Sequence, residues 1–178
     1  MTYEILKFLH ITGIILIVGS VTTSAFWKVM ADRTRDVQIM AHAQYNVVVA
    51  DFLFTMVGIV LTISGGYGMA YVADVDLLRY DWLGASQLLF LVSGAIWLVV
   101  LMPIQVRQLR SARSAASSAH ATASFLERYR RSSRTWLVWG IIATVPLVAA
   151  LYLMVAKPDM PQIAGPFPVS TPLPVVAR

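Results

Sequence analysis

The sequence predicts an all-α polytopic membrane protein, a four-transmembrane-helix up-down-up-down bundle with an extended Pro-rich C-terminal tail. Three observations carry this expectation. First, 58% of the 178 residues are apolar and 13% charged, with a mean hydropathy of +0.70, whereas soluble domains carry about 25% charged residues. Second, four apolar runs are long enough to cross a bilayer core, which takes roughly 20 residues. Third, the basic residues gather in the connections on one side of those runs. The chain therefore divides into a membrane domain over residues 1–157 and a tail over residues 158–178.

The first span covers about residues 3–26 and contains "KFLHITGIILIVG", a histidine inside an apolar run. It is expected to stay in the membrane rather than be cleaved as a signal peptide, because Glu4 cancels Lys7 ahead of the run. The second span, about 45–72, carries one carboxylate, Asp51. The third covers about 83–106. The fourth, about 136–156, has no ionisable side chain and is expected to kink at Pro146, freeing a carbonyl one turn earlier.

Charge sets the expected orientation. Lys28, Arg33 and Arg35 lie between spans 1 and 2, and Arg107, Arg110, Arg113, Arg128, Arg130, Arg131 and Arg134 between spans 3 and 4. The opposite side has Lys7, Arg79, Lys157 and Arg178, with Asp74, Asp76 and Asp81 in the connection between spans 2 and 3. The positive-inside rule places both termini outside the cytoplasm, with Trp27, Trp136 and Trp139 at the inner interface and Trp82 at the outer. The basic excess is thus a topological signal and an attraction for anionic lipid. It is not read as nucleic-acid binding.

The long connection over 107–134 contains no Gly or Pro and is expected to extend spans 3 and 4 as helices beyond the bilayer, with His120 exposed in it. The tail after Lys157 holds six of the eight prolines and cannot form a regular helix. It reads either as a disordered end or as a strap over the outer mouth of the bundle, packed through Phe167, Val169, Leu173 and Val175. Cysteine is absent, which excludes disulfides and thiolate metal sites.

Helices in lipid associate through small and polar residues. That rule predicts inward stripes of His10, Gly13, Ile17, Ser20, Ser24 and Trp27 on span 1, and of Asp51, Thr55, Gly58, Thr62, Gly65 and Met69 on span 2. On span 3 it predicts Ser86, Phe90, Ser93, Trp97, Val100, Ile104 and Arg107, and on span 4 Gly140, Thr144, Leu147, Leu151 and Met154. Asp51 falls roughly 10 Å below the inner surface. A carboxylate at that depth needs a partner or a proton, so Asp51 reads as a structural hydrogen-bonding group or as a proton-coupled site. His10 lies near the outer end of span 1. His42 lies at the inner end of span 2, roughly 24 Å away along the bundle, and reads as an interfacial residue that cannot share a metal centre with His10.

Around His10 the outer half offers Met69, Met154 and Lys157 as further ligands, with Tyr67, Tyr71 and Tyr152 as hydrogen-bonding groups. An imidazole with a thioether or amine suits a b-type haem or copper as Cu(I). The alternative is a buried histidine bonded to a tyrosine or a freed carbonyl. No catalytic group can be assigned.

The stretches "KFLHITGIILIVGSVTTSAFWKVMADRT", "VVVADFLFT" and "LYLMVAKP" resemble a bacterial membrane family catalogued as domain of unknown function 2269, over about residues 3–158. More distantly, "KFLH" and the fourth-span run ending in "KP" resemble HemJ-type protoporphyrinogen oxidases and CopD-like membrane proteins. That second likeness implies a role for His10 and Lys157 at a b-type haem. It also implies a third-span histidine, which "SQLLFLVSGAIWLVVLMP" lacks, so protoporphyrinogen oxidation is not carried over. The functional expectation is a membrane protein holding haem b or copper around His10. A cofactor-free accessory protein meeting a membrane-protein partner or a second copy is the alternative, and a proton-coupled small transporter using Asp51 comes third.

Overall fold

The computed structural model describes residues 1–77, 81–117 and 123–158. Within them, four helices are long and apolar enough to cross a membrane: α1 (Thr2–Thr34), α2 (Val37–Val72), α3 (Trp82–Ser117) and α4 (Ala123–Ala156). No strand occurs among the described residues. At 1.5 Å per residue each helix runs about 50 Å, longer than a hydrocarbon core of roughly 30 Å. The surplus lies at the end where α1 meets α2 and α3 approaches α4, here the basic end. The opposite end, with Thr2 and Ala156, is the termini end. His120 and the tail beyond Pro158, with its strap residues, lie outside the described residues.

The helix that carries the second span begins eight residues ahead of that span, at Val37. Asp36 caps α2, its Oδ1 accepting from the backbone N–H groups of Gln38 and Ile39, and Arg35 turns the chain with a left-handed φ of 58°. A short polar side chain just ahead of an apolar run is the usual start signal, and here it lies nine residues before the expected span. As expected, the arginine-rich connection continues both α3 and α4 as helices past the apolar windows. A small cluster of Met40, Ala41, Ala112 and Tyr129 packs between them and α2.

The bundle is built as two pairs. α1 packs closely on α2 along its whole length, and the termini half of α3 packs on α4. The pairs join in the basic half, where α2 packs on α3 around Val47, Leu101, Trp136 and Ala143. In the termini half, no Cα atom of residues 57–72 comes within 8 Å of one in residues 81–96. A hydrogen bond from the Tyr67 hydroxyl to Gln87 Oε1, 2.9 Å, bridges the two pairs there.

Glycine sets the spacing of the first pair. A Cβ on Gly65 would stand 2.6 Å from the Leu6 carbonyl and 2.7 Å from the His10 nitrogen, and one on Gly58 would stand 2.8 Å from the Gly13 carbonyl. The two backbones are in contact, and no other residue fits.

Two π-helical turns interrupt the ladder, Asp51–Met56 in α2 and Trp97–Leu101 in α3. The second ends two residues before Pro103, whose missing N–H leaves a carbonyl of the preceding turn without its partner. A π turn adds one residue to the helical count, and this displaces the expected inward stripe of α3. Ser86 and Ser93 are buried as the spacing predicts, but from the last residue of the turn onward Leu101, Gln105, Gln108 and Ala112 are buried, and Arg107 is exposed. Two further stripes need correction. On α1 the stripe of Gly13, Ile17, Ser20 and Ser24 continues to Lys28 and Ala31, while Trp27 is 49% exposed. On α4 the buried residues are Tyr129, Trp136, Ala143 and Ala150, so Trp136 lies inside the bundle rather than at the interface. α4 runs unbroken through Pro146.

Candidate functional site

Two polar sites occupy the interior, one in each half. In the basic half the side chains form a chain from the helix ends inward. Lys28 is 2% exposed although it carries an ammonium group. Its Nζ lies 3.4 Å from Asp32 Oδ2 and donates to the Tyr129 hydroxyl at 3.2 Å. It also stands over the rings of Tyr129 and Trp136, at 4.9 and 5.7 Å from their centroids. An amine so enclosed is held by its carboxylate and by the negative faces of the rings. The Tyr129 hydroxyl donates to Gln44 Oε1 at 3.5 Å, and Gln44, 0% exposed, donates from Nε2 to the Gln105 carbonyl at 3.3 Å.

Gln105 leads to Asp51, which is 3% exposed. The Thr55 hydroxyl donates to Asp51 Oδ1 at 3.2 Å and lies 3.1 Å from Ser20 Oγ. The Ser20 hydroxyl donates to the Ala50 carbonyl at 3.4 Å. On the other side, the indole N–H of Trp97 donates to Asp51 Oδ2 at 3.3 Å. Both π turns open on these bonded residues: Asp51 begins one and Trp97 the other. Asp51 thus ties α1, α2 and α3 together at the level of Ser20, near the middle of α1. Lys28, the buried cation of this half, pairs with Asp32.

The second site lies about 15 Å further along α1. His10 is partly buried between α1 and α2, and its Nδ1 donates to the Thr62 carbonyl at 2.7 Å. The ring rests against Gly66, where a Cβ would stand 3.0 Å from Nδ1 and 3.2 Å from Cε1. In a neutral imidazole that donates from Nδ1, Nε2 keeps its lone pair. This is the arrangement in which metal-bound histidines are commonly held. The partner is therefore a backbone carbonyl of α2, while Tyr67, Tyr71 and Tyr152 are exposed.

The other expected ligands are spread over both helix pairs. Met69 is partly buried on α2, beyond Gly66 toward the termini end, and Met154 is partly buried on α4. Lys157 is exposed, has a left-handed φ of 44°, and holds its Nζ 5.7 Å from the centroid of the Trp82 ring. None of the described hydrogen bonds or ion pairs joins His10 to Met69, Met154 or Lys157. No group of three His, Asp or Glu residues capable of holding a metal occurs among the described residues. The donor set is one imidazole with soft or amine partners, which suits a haem iron or Cu(I) and not a carboxylate-rich cation site. His42 is exposed at the basic end, beside Tyr45 and Arg113.

Sequence reasoning missed Lys28, Gln44, Gln105, Gln108 and Tyr129 as interior groups. For Lys28 the signal was present, since it follows Ser20 and Ser24 at steps of four on the same stripe. Gln44 likewise stands seven residues before Asp51. For Gln105 and Gln108 the π turn concealed the register.

Four long apolar helices around a polar interior define an integral membrane protein. Over residues 4–158 the chain matches the family described as predicted integral membrane protein (DUF2269), and it belongs to that family. No curated protein and no solved structure matches it.

Proposed function

We propose that this integral membrane protein holds a b-type haem or a Cu(I) ion at its termini end, with His10 Nε2 as the protein's nitrogen ligand. The observation that carries this reading is the 2.7 Å bond from His10 Nδ1 to the Thr62 carbonyl. It fixes the ring and leaves the other nitrogen available at the price of no extra side chain. The separation of the two helix pairs in the termini half supports it further. His10 and Met69 belong to one pair, and Met154 and Lys157 to the other, so a group between the pairs would take its second ligand from Met69, Met154 or Lys157. Either group, when bound, supplies one-electron chemistry. By the same proposal the basic end faces the cytoplasm of a bacterial inner membrane, where Arg130, Arg131 and Arg134, lining a groove of about 400 Å³ on α4, meet anionic headgroups.

The test is spectroscopic and analytical. Protein purified from cells supplied with haem precursors and copper is expected to show a Soret band or stoichiometric copper. His10→Ala is expected to lose it while keeping its helical content. A colourless, copper-free wild-type protein would favour the accessory role.

A further inference from the structure

We propose that the basic half of the bundle is a hydrated path that delivers protons from the basic end to the Asp51 carboxylate. The proposal is independent of the His10 site, about 15 Å away along α1.

Three observations support it. The first is continuity. Asp32, Lys28, Tyr129, Gln44 and the backbone carbonyl of Gln105 follow one another in sequence, and the Gln105 side chain stands beside Asp51. From the level of Asp32 to that of Ser20 the chain covers about 18 Å of α1. The second is unmet polar demand. Buried atoms with no protein partner flank this chain on three helices: Ser24 Oγ and Asp32 Oδ1 on α1, Gln105 Oε1 and Gln108 Oε1 on α3, Ser133 Oγ and Trp136 Nε1 on α4. Buried polar atoms bond to protein or to water, and a space offering several such atoms is where internal water is held. Donors and acceptors both occur, which suits water rather than an ion of one sign.

The third observation is the end of the path. The hydrogen-bonding partners described for Asp51, namely Thr55, Trp97 and Gln105, are all neutral. The titratable groups facing the path are Lys28 and Asp32 from α1 and Tyr129 from α4. α2 adds the neutral Gln44, and α3 the neutral Trp97, Gln105 and Gln108. Lys28 sits two turns of α1 from Ser20, about 12 Å along the axis, and is already paired with Asp32. A carboxylate in mid-membrane without a cation beside it is the kind of group that exchanges protons. The step is simple: a hydronium ion entering at the basic end passes its proton through the internal waters to an Asp51 oxygen. The carboxylate becomes a carboxylic acid, a water remains, and one proton is taken up.

Infrared difference spectroscopy on the full-length protein in nanodiscs, acid minus alkaline, tests this in H2O and in D2O. The expected result is a carboxylic C=O band that shifts in D2O and is lost in Asp51→Asn. Thr55→Val, which removes a hydrogen bond from the carboxyl, should shift the same band and so identifies it even if the Asn variant fails to fold. Gln44→Leu and Gln108→Leu, which place hydrocarbon in the path, should slow its exchange with D2O, and His10→Ala should leave it unchanged. A wild-type spectrum without a pH-dependent Asp51 band would overturn the proposal. So would exchange that is equally fast in folded Gln44→Leu and Gln108→Leu proteins.

Discussion

Trp97 and Asp51 are joined by a hydrogen bond of 3.3 Å, and each is the first residue of a π-helical turn. A π turn widens the helix locally and re-aims the side chains beside it, and such turns concentrate at functional positions. Here the two widened turns lie on neighbouring helices and hold one carboxyl between them. Removing the donor alone tests how much depends on that bond. Trp97→Phe keeps the ring and leaves Asp51 Oδ2 without its indole partner, and is expected to cost about 1–3 kcal/mol. Reversible unfolding in mixed micelles measures the loss, and Asp51→Leu combined with Trp97→Phe should cost less than the sum of the two single changes.

The π turn in α2 also predicts an unusual tolerance to deletion. Leu53 lies inside it, 58% exposed. Deleting Leu53 returns the turn to an ordinary α-helix with Gly58 and Gly65 still facing α1. Deleting Val60, outside the π turn, rotates everything beyond it by about 100° and removes Gly65 from its contact. The first deletion is expected to yield folded, less stable protein, and the second to yield little or none, by size-exclusion profile in detergent.

Lys28 should behave as a buried pair rather than as an interfacial cation. Lys28→Ala removes the amine from between Asp32, Tyr129 and Trp136 and strands the Asp32 carboxylate, with an expected cost of about 3–5 kcal/mol. Lys28→Met together with Asp32→Leu removes both charges and keeps the volume, and is expected to recover most of that stability. Unfolding midpoints of the three variants in micelles decide the matter.

The glycines of the two helix pairs divide sharply. Gly65→Val has no room, since its Cβ would enter the α1 backbone, and should separate α1 from α2 and break the His10–Thr62 bond. Gly94 and Gly140 meet nothing within 4 Å. Alanine there is expected to be neutral or to add up to about 1 kcal/mol through helix propensity. Thermal unfolding followed by circular dichroism distinguishes the two groups.

Most of the architecture was legible because lipid imposes strong rules: four apolar runs, their alternation, and the helical extensions beyond the membrane follow from hydropathy and from the absence of Gly and Pro in the connection. The inward stripes of α1 and α2 were legible for the same reason, through Gly13, Ser20, Asp51, Thr55 and Gly65. Three features were not. The π turn in α3 rotates Gln105 and Gln108 inward where strict spacing expects Arg107. Tyr129 comes from beyond the apolar window, and its place depends on how far α4 extends. Lys28 reads as an end-of-span charge because hydropathy cannot report a partner such as Asp32 or the face of an aromatic ring. The partner of His10 was not legible either: the Thr62 carbonyl becomes available only because Gly65 and Gly66 let the two helices touch.

The availability of His10 Nε2 can be read directly by nitrogen-15 NMR of histidine-labelled protein in bilayers, with His42→Gln and His120→Gln substituted to isolate the signal. The proposed function predicts a protonated Nδ1, an unprotonated Nε2, and an Nε2 resonance that moves on addition of haem or Cu(I) while the Nδ1–H signal persists. A proton on Nε2 alone, or an Nε2 resonance that stays in place with both additions, would contradict it.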